Sequence, residues 1–198
     1  EIMNKIRASI LVMGPLLARF GTASVAMPGG DLIGMRPINY HLEGFKKLGA
    51  TVQLQPPFAS ARINAAQVLP ATTRIVLEYP SVGATENIMM LACLSDTETT
   101  IVNAALEPEV FDLIDVLKKM GANIIVAPAA IIIKGVVRLY PVMHTVIPDR
   151  LEAGTLLLAA AITGGSISIP NARADHLDIF IEKLRAMGHM VTTGFDTP

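Results

Sequence analysis

The chain has no tryptophan, a single cysteine and four histidines in 198 residues, and only 5% of it is aromatic. Without aromatic faces there is little material for a base-stacking platform. A lone thiol, Cys93, closes no internal disulfide and supplies no zinc quartet. It lies in the apolar run Met89-Met90-Leu91-Ala92-Cys93-Leu94, which reads as a buried structural thiol and suits a reducing compartment. His41, His144, His176 and His189 show no metal-ligand spacing. An excess of one charge is also missing, since 16 basic and 17 acidic residues leave a net charge of -1. That balance points neither to nucleic acid nor to a disordered acidic tail. No apolar run reaches the ~18 residues of a spanning helix. Glu1-Ile2-Met3-Asn4-Lys5 lacks the layout of a signal peptide. No Ser-His-Asp order or P-loop pattern stands out.

What is present is apolar and repetitive. At 52% hydrophobic and 17% charged, the chain can bury a large core in one or two domains. Three segments resemble one another: Phe45-Lys46-Lys47-Leu48-Gly49-Ala50, Leu117-Lys118-Lys119-Met120-Gly121-Ala122 and Leu184-Arg185-Ala186-Met187-Gly188-His189. They recur at roughly 70 residues, which marks one structural unit copied. Each reads as the end of an amphipathic helix. Val110, Leu113, Ile114, Leu117 and Met120 keep helical spacing, as do Leu177, Phe180, Ile181, Leu184 and Met187. Basic residues suit the negative helix end, and glycine follows as the stop.

A hairpin is expected after the first two copies, from strands at 51–54 and 59–63, then at 123–126 and 131–134. Upstream of each copy, a small-residue helix leads to a Ser/Thr-rich strand. The helices are 7–20, 81–95 and 152–163, and the strands 23–27, 99–102 and 166–169. The last of these helices is apolar on nearly all sides, which predicts full burial. The unit is therefore helix, strand, helix, hairpin, an α/β architecture with helices packed inside or between sheets. Spacing alone does not choose between a barrel, a prism and an open sheet. The chain has no initiator Met, and its third copy stops where a partner strand is due, so we expect a piece of a longer protein. The expected boundary between units is Thr145 to Arg150, where Pro148-Asp149-Arg150 breaks the chain before a new unit.

The loop Pro28-Gly29-Gly30-Asp31-Leu32-Ile33-Gly34-Met35-Arg36-Pro37 is the richest in chemistry. It reads either as a polar surface turn or as a flexible lid with one acid and one guanidinium, able to close over an anionic substrate. Arg7 is either a solvated helix-end charge or a ligand contact. Pro80-Ser81-Val82-Gly83 opens a helix, with Ser81 as an N-cap or with its N–H groups aimed at phosphate oxygens. Glu107-Pro108-Glu109 opens another helix, where acids complement the dipole. Asp149-Arg150 is read as a local ion pair worth little. Of the histidines, only His41 is placed near a site.

Taken together, the stretches IRASILVMGPLLARFG, MPGGDLIGMRPINYHLEGFKKLGA, PSVGATENIMMLA, NAALEPEVFDLIDVLKKMGA and IPDRLEAGTLLLAAAITGG resemble the UDP-N-acetylglucosamine enolpyruvyl transferase family. They run in order through nearly the whole chain. The resemblance implies repeated α/β units of an inside-out α/β barrel fold. Residues 1–147 would be most of a first domain and 148–198 the start of a second. It implies a cytoplasmic enzyme at the first committed step of peptidoglycan synthesis, and so in cell-wall biogenesis, cell shape and cell division. Its substrates would be phosphoenolpyruvate and UDP-N-acetylglucosamine, with no metal, cofactor, nucleic acid or membrane partner.

On the same resemblance, Asp31 would be the general acid that protonates the methylene carbon of phosphoenolpyruvate, at a position where Cys is commoner. An Asp at its reference pKa of ~3.9 is mostly ionised at neutral pH, so this role needs a raised value from desolvation or the nearby phosphate. A carboxyl there also predicts resistance to thiol-directed epoxides such as fosfomycin. Arg36 would hold phosphoenolpyruvate and steady the developing charge. Pro37, Ile38, Asn39 and Tyr40, with His41 beside them, would line the uridine-nucleotide pocket. Asn39 replaces a commoner Asp, and Tyr79 replaces a Lys found in some members. Arg7 would contact the sugar nucleotide, and Ser81, Val82 and Gly83 its diphosphate. Glu107, Glu109, Asp149 and Arg150 would lie at the domain junction. The family's remaining site residues would fall outside these 198, so the piece alone is expected not to turn over. The rival readings are a 5-enolpyruvylshikimate-3-phosphate synthase-like transferase and a non-catalytic nucleotide-binding relative.

Overall fold

The computed structural model describes residues 5–30, 37–64 and 68–194. It divides into two compact units, residues 1–144 and 145–198.

The first unit opens with a 3-10 turn, Arg7–Val12, that runs into α1, Met13–Phe20. One continuous helix was expected over 7–20. Pro15 explains the change of pitch, because its missing N–H is tolerated only in the first turn of an α-helix. Then come β1 (Thr22–Ala26), α2 (Asn39–Lys47), β2 (Ala50–Gln55) and β3 (Phe58–Ile63). The second copy follows as β4 (Thr72–Val76), α3 (Val82–Ala92), β5 (Glu98–Val102), α4 (Pro108–Lys119), β6 (Asn123–Ala127) and β7 (Ala130–Lys134).

The expected hairpins form, β2 with β3 and β6 with β7. β3 is the middle strand of the sheet β1-β3-β2, antiparallel to both neighbours, with Ala59 opposite both Val25 and Leu54. The other sheet has the order β4-β5-β7-β6. β4 was not foreseen. It pairs parallel with β5, Ile75 opposite Ile101, so the chain must cross over between them, and α3 is that crossover.

Burial alternates along the strands, with Ala23 and Val25 of β1 and Thr99 and Ile101 of β5 turned inward. The helices fill the inside. α1 and α2 pack against α3, with β1 beneath α1 and β2 beneath α2, while α3 and α4 reach β5, β7 and β6. Glycine permits the closest approaches. A Cβ on Gly14 would fall on the carbonyl oxygen and Oδ1 of Asn87, and one on Gly44 on the Ile88 side chain. Phe45, Met13, Ile88 and Ile131 are fully buried in the resulting core. Cys93 is buried too, and burial pushes its thiol up to about 12. After β7 the chain is tied back by Val136 N–H to Cys93 O at 2.8 Å and by Tyr140 N–H to Met120 O at 2.8 Å. His144 Nε2 lies 2.9 Å from Asp112 Oδ1.

The second unit contains α5 (Arg150–Thr163), a 3-10 turn at Ala174–His176 and α6 (Asp178–Ala186). Gly154 of α5 lies against Leu177 and Phe180. Two expectations fail here. The segment 166–169 is not a strand, because no segment pairs with it among the described residues of this unit, and an unpaired strand is not stable. Nor is α5 buried all round. Only Ala153 and Gly154 are, while Leu151, Leu158 and Ile162 are exposed, because too little packs on this helix within the unit. Among the described residues, no helix is long and apolar enough to cross a membrane.

Candidate functional site

Three segments distant in sequence meet at the first turn of α3. Ser81 precedes the helix with extended backbone and caps it, its Oγ accepting from Ala84 N–H at 3.3 Å. Thr85 N–H reaches Ser81 O at 2.9 Å, closing the first helical turn. The N–H groups of Val82 and Gly83 come too early in the helix to have an intrahelical acceptor. They leave partial positive charge at the helix start, where anionic oxygens bind well.

Against this turn lies His41, in the first turn of α2. Its ring edge packs on Gly83, so that a Cβ there would sit 3.4 Å from His41 Cε1 and 3.7 Å from Nε2. The third segment brings Arg7, whose Nη2 donates to Pro37 O at 2.9 Å. That bond ties the 3-10 turn to the chain just ahead of α2.

His41 is 4% exposed. Burial, with the Arg7 guanidinium adding to it, pushes its pKa down to about 4. The ring is therefore neutral at physiological pH. Its Nδ1 lies 2.9 Å from Asn87 Nδ2. Asn87 also donates to Ile10 O at 2.9 Å, and its Oδ1 accepts from Gly14 N–H at 2.7 Å. One buried amide thus joins α1, α2 and α3 behind the site.

The other expected site residues divide. Pro37 and Asn39 are exposed and Tyr40 is half-buried against the core. Ile38 is 6% exposed and belongs to the core. Tyr79 is exposed. Asp31 and Arg36 lie outside the described residues. Glu107 and Glu109 open α4, and both raise the pKa of Glu86 on α3, after burial as the larger cause, to about 7. Glu107 Oε2 is buried without a hydrogen-bond partner among the described residues. Asp149 is the N-cap of α5 and accepts from Leu151 N–H at 2.7 Å and Glu152 N–H at 3.3 Å. Its carboxylate thus serves the start of the helix that Arg150 begins, satisfying orphan N–H groups there.

Sequence reasoning passed over Asn87 and Glu86. The available signal was polarity in an apolar stretch, since Thr85-Glu86-Asn87 interrupt a helix whose other residues are Val, Gly, Ala, Ile, Met and Leu. A buried polar side chain there must find partners. Thr85 does so by accepting from Ala105 N–H at 3.0 Å. Chemically, the cluster of Arg7, the α3 N–H groups and a neutral histidine suits an anionic, phosphate-like group.

Comparisons with known proteins agree on one family. A family model described as EPSP synthase (3-phosphoshikimate 1-carboxyvinyltransferase) matches residues 1–197. A protein of Pseudoalteromonas atlantica named UDP-N-acetylglucosamine 1-carboxyvinyltransferase is 46% identical over 197 residues, 99% of this chain and 46% of its own length. One of Caldanaerobacter subterraneus subsp. tengcongensis, named UDP-N-acetylglucosamine 1-carboxyvinyltransferase 1, is 51% identical over 193 residues, 97% of this chain and 46% of its own. Among solved structures, the enolpyruvyl transferase NikO from Streptomyces tendae superimposes with a TM-score of 0.68 at 23% identity. That match covers 93% of this chain and 44% of NikO. The chain thus spans less than half the length of these curated relatives.

Proposed function

The chain belongs to the EPSP synthase family, and from that membership we propose that it is part of a UDP-N-acetylglucosamine 1-carboxyvinyltransferase. The full-length protein transfers the enolpyruvyl group of phosphoenolpyruvate to the sugar 3-hydroxyl and releases phosphate. The observation that carries this reading is the 46% and 51% identity, over 99% and 97% of the chain, to proteins bearing that name. The site supports it. A guanidinium, a helix N-terminus and a hydrogen-bonding imidazole gather where a diphosphate needs neutralising. The division into units at 144/145 supports reading 1–147 as most of the first domain and 148–198 as the start of the second. We place the reaction in the cytoplasm, at the first committed step of peptidoglycan synthesis.

In this reading Asp31 gives a proton to the methylene carbon of phosphoenolpyruvate, which makes the neighbouring carbon electrophilic. The sugar 3-oxygen bonds to that carbon and loses its proton. Breakage of the bond to phosphate oxygen, with loss of a methyl proton, restores the double bond. Arg36 neutralises the charge on the departing phosphate.

The test is phosphate release by the full-length protein. It is expected with UDP-N-acetylglucosamine and not with shikimate 3-phosphate. Asp31→Asn should lower kcat by roughly 10²–10⁴-fold, the usual worth of a positioned acid. Asp31→Cys should keep turnover and gain sensitivity to fosfomycin. Release with shikimate 3-phosphate alone would establish the rival transferase. Full activity in Asp31→Asn would remove Asp31 from the chemistry.

A further inference from the structure

We propose that Asn87 is a positioning residue that holds His41 in one tautomer, with the proton on Nε2, so that the ring donates a hydrogen bond to an anionic oxygen seated on the first turn of α3. Fixed donor and acceptor roles around the Asn87 amide set the tautomer. Gly14 N–H can only donate, so the Asn87 atom 2.7 Å from it is the acceptor Oδ1, which orients the amide. The other end is then NH2. One of its hydrogens goes to Ile10 O, which can only accept. The second points at His41 Nδ1, 2.9 Å away. Nδ1 must therefore accept and carries no proton. A neutral imidazole without a proton on Nδ1 has it on Nε2. Asn87 is wholly buried, and neither Gly14 N–H nor Ile10 O can exchange roles, so the amide cannot turn over.

The orientation matters because Nε2 is on the edge of the ring beside Gly83, next to the N–H groups that begin α3. Arg7 is the charged neighbour whose field acts on the ring, and it disfavours a second proton. His41 thus presents a fixed donor beside a guanidinium and cannot compete with either by charging. It cannot serve as a general base for the sugar hydroxyl, since its only unprotonated nitrogen is occupied by Asn87.

This inference rests on the nucleotide-binding reading above, and the experiment separates the two. The full-length protein is labelled with 15N-histidine and backbone 15N, and His41 is followed from pH 5 to 8 without ligand. The expected pattern is an unprotonated Nδ1 and a protonated Nε2, unchanged across the range. A proton on Nδ1, or titration near the ordinary ~6.5 of histidine, would overturn the proposal. UDP is then added. Shifts at Val82 and Gly83 N–H together with His41 Nε2–H support it. Shifts at the two amides without any at Nε2–H overturn it while leaving the site intact, and no shift at any of them refutes the nucleotide reading instead. In Asn87→Leu, a mixture of tautomers is expected, with KM for the sugar nucleotide raised about tenfold and kcat little changed. The native tautomer persisting in that variant would remove Asn87 from the role. If Asn87→Leu does not fold, the measurements on the native protein decide alone.

Discussion

Gly14→Ala tests the packing that builds the site. In a helix, Ala is ordinarily better than Gly by up to about 1 kcal/mol. Here the added Cβ would lie under 3.0 Å from two oxygens of Asn87, the backbone carbonyl and Oδ1. Neither can step aside. The carbonyl belongs to the body of α3, and Oδ1 is part of an amide fixed by three buried hydrogen bonds. Relief requires α1 to move off α3, at about 1–3 kcal/mol for overpacking. The 2.7 Å bond from Gly14 N–H is then lost, and a buried unpaired partner costs about 1–3 kcal/mol more. Set against the propensity gain, the net loss is about 3 kcal/mol.

Gly44→Ala is the internal control. It carries the same propensity gain, but its Cβ would meet Cγ1 and Cδ1 of Ile88, a side chain with rotatable bonds. Its expected cost is smaller, about 1–2 kcal/mol. The assay is urea unfolding followed by helical ellipticity, comparing midpoints at unchanged m-value. Gly14→Ala as stable as the parent chain, or less harmful than Gly44→Ala, would refute the claim that backbone and amide contact set the α1–α3 distance.

Two further outcomes follow from the ionisable groups. Glu86 keeps its proton to about pH 7 when folded, against 4.5 for the ordinary side chain, so the folded state binds more protons between those values. Stability contributed by this group therefore falls as pH rises through that window. Glu86→Gln should unfold at nearly the same urea concentration at pH 5 and pH 8, while the parent loses midpoint on going to pH 8. Parallel losses in both would show that Glu86 is not the group responsible. Asp149→Ala should cost about 1 kcal/mol, whereas Asp149→Asn, which caps as well, should cost only a few tenths. An equal loss in both would mean that the charge matters and the cap does not.

Much of the unit was legible because it is written in local patterns. Helical spacing from Val110 to Met120, the stops at Gly49 and Gly121, and two β-branched pairs separated by short turns set α4, the ends of α2 and α4, and both hairpins. The recurrence near 70 residues revealed one motif used more than once. Ser81 and the apolar surroundings of Cys93 likewise declared a helix cap and a buried thiol. β4 was overlooked because the repeat explained its neighbours without it. The segment 166–169 misled because strand propensity states what a residue tolerates, not whether a partner strand is beside it.

The chemistry of the site depended on contacts that no local window contains. His41 and Asn87 are 46 residues apart, and Gly14 and Asn87 are 73 apart. Only the folded chain decides that His41 stays neutral, which of its nitrogens holds the proton, and that Glu86 remains protonated up to about pH 7. Periodicity along the chain determines backbone form, because hydrogen bonds in helices and turns join near neighbours. Protonation and donor direction are set by desolvation and by groups brought in from elsewhere, and those exist only once the three helices have closed around one amide.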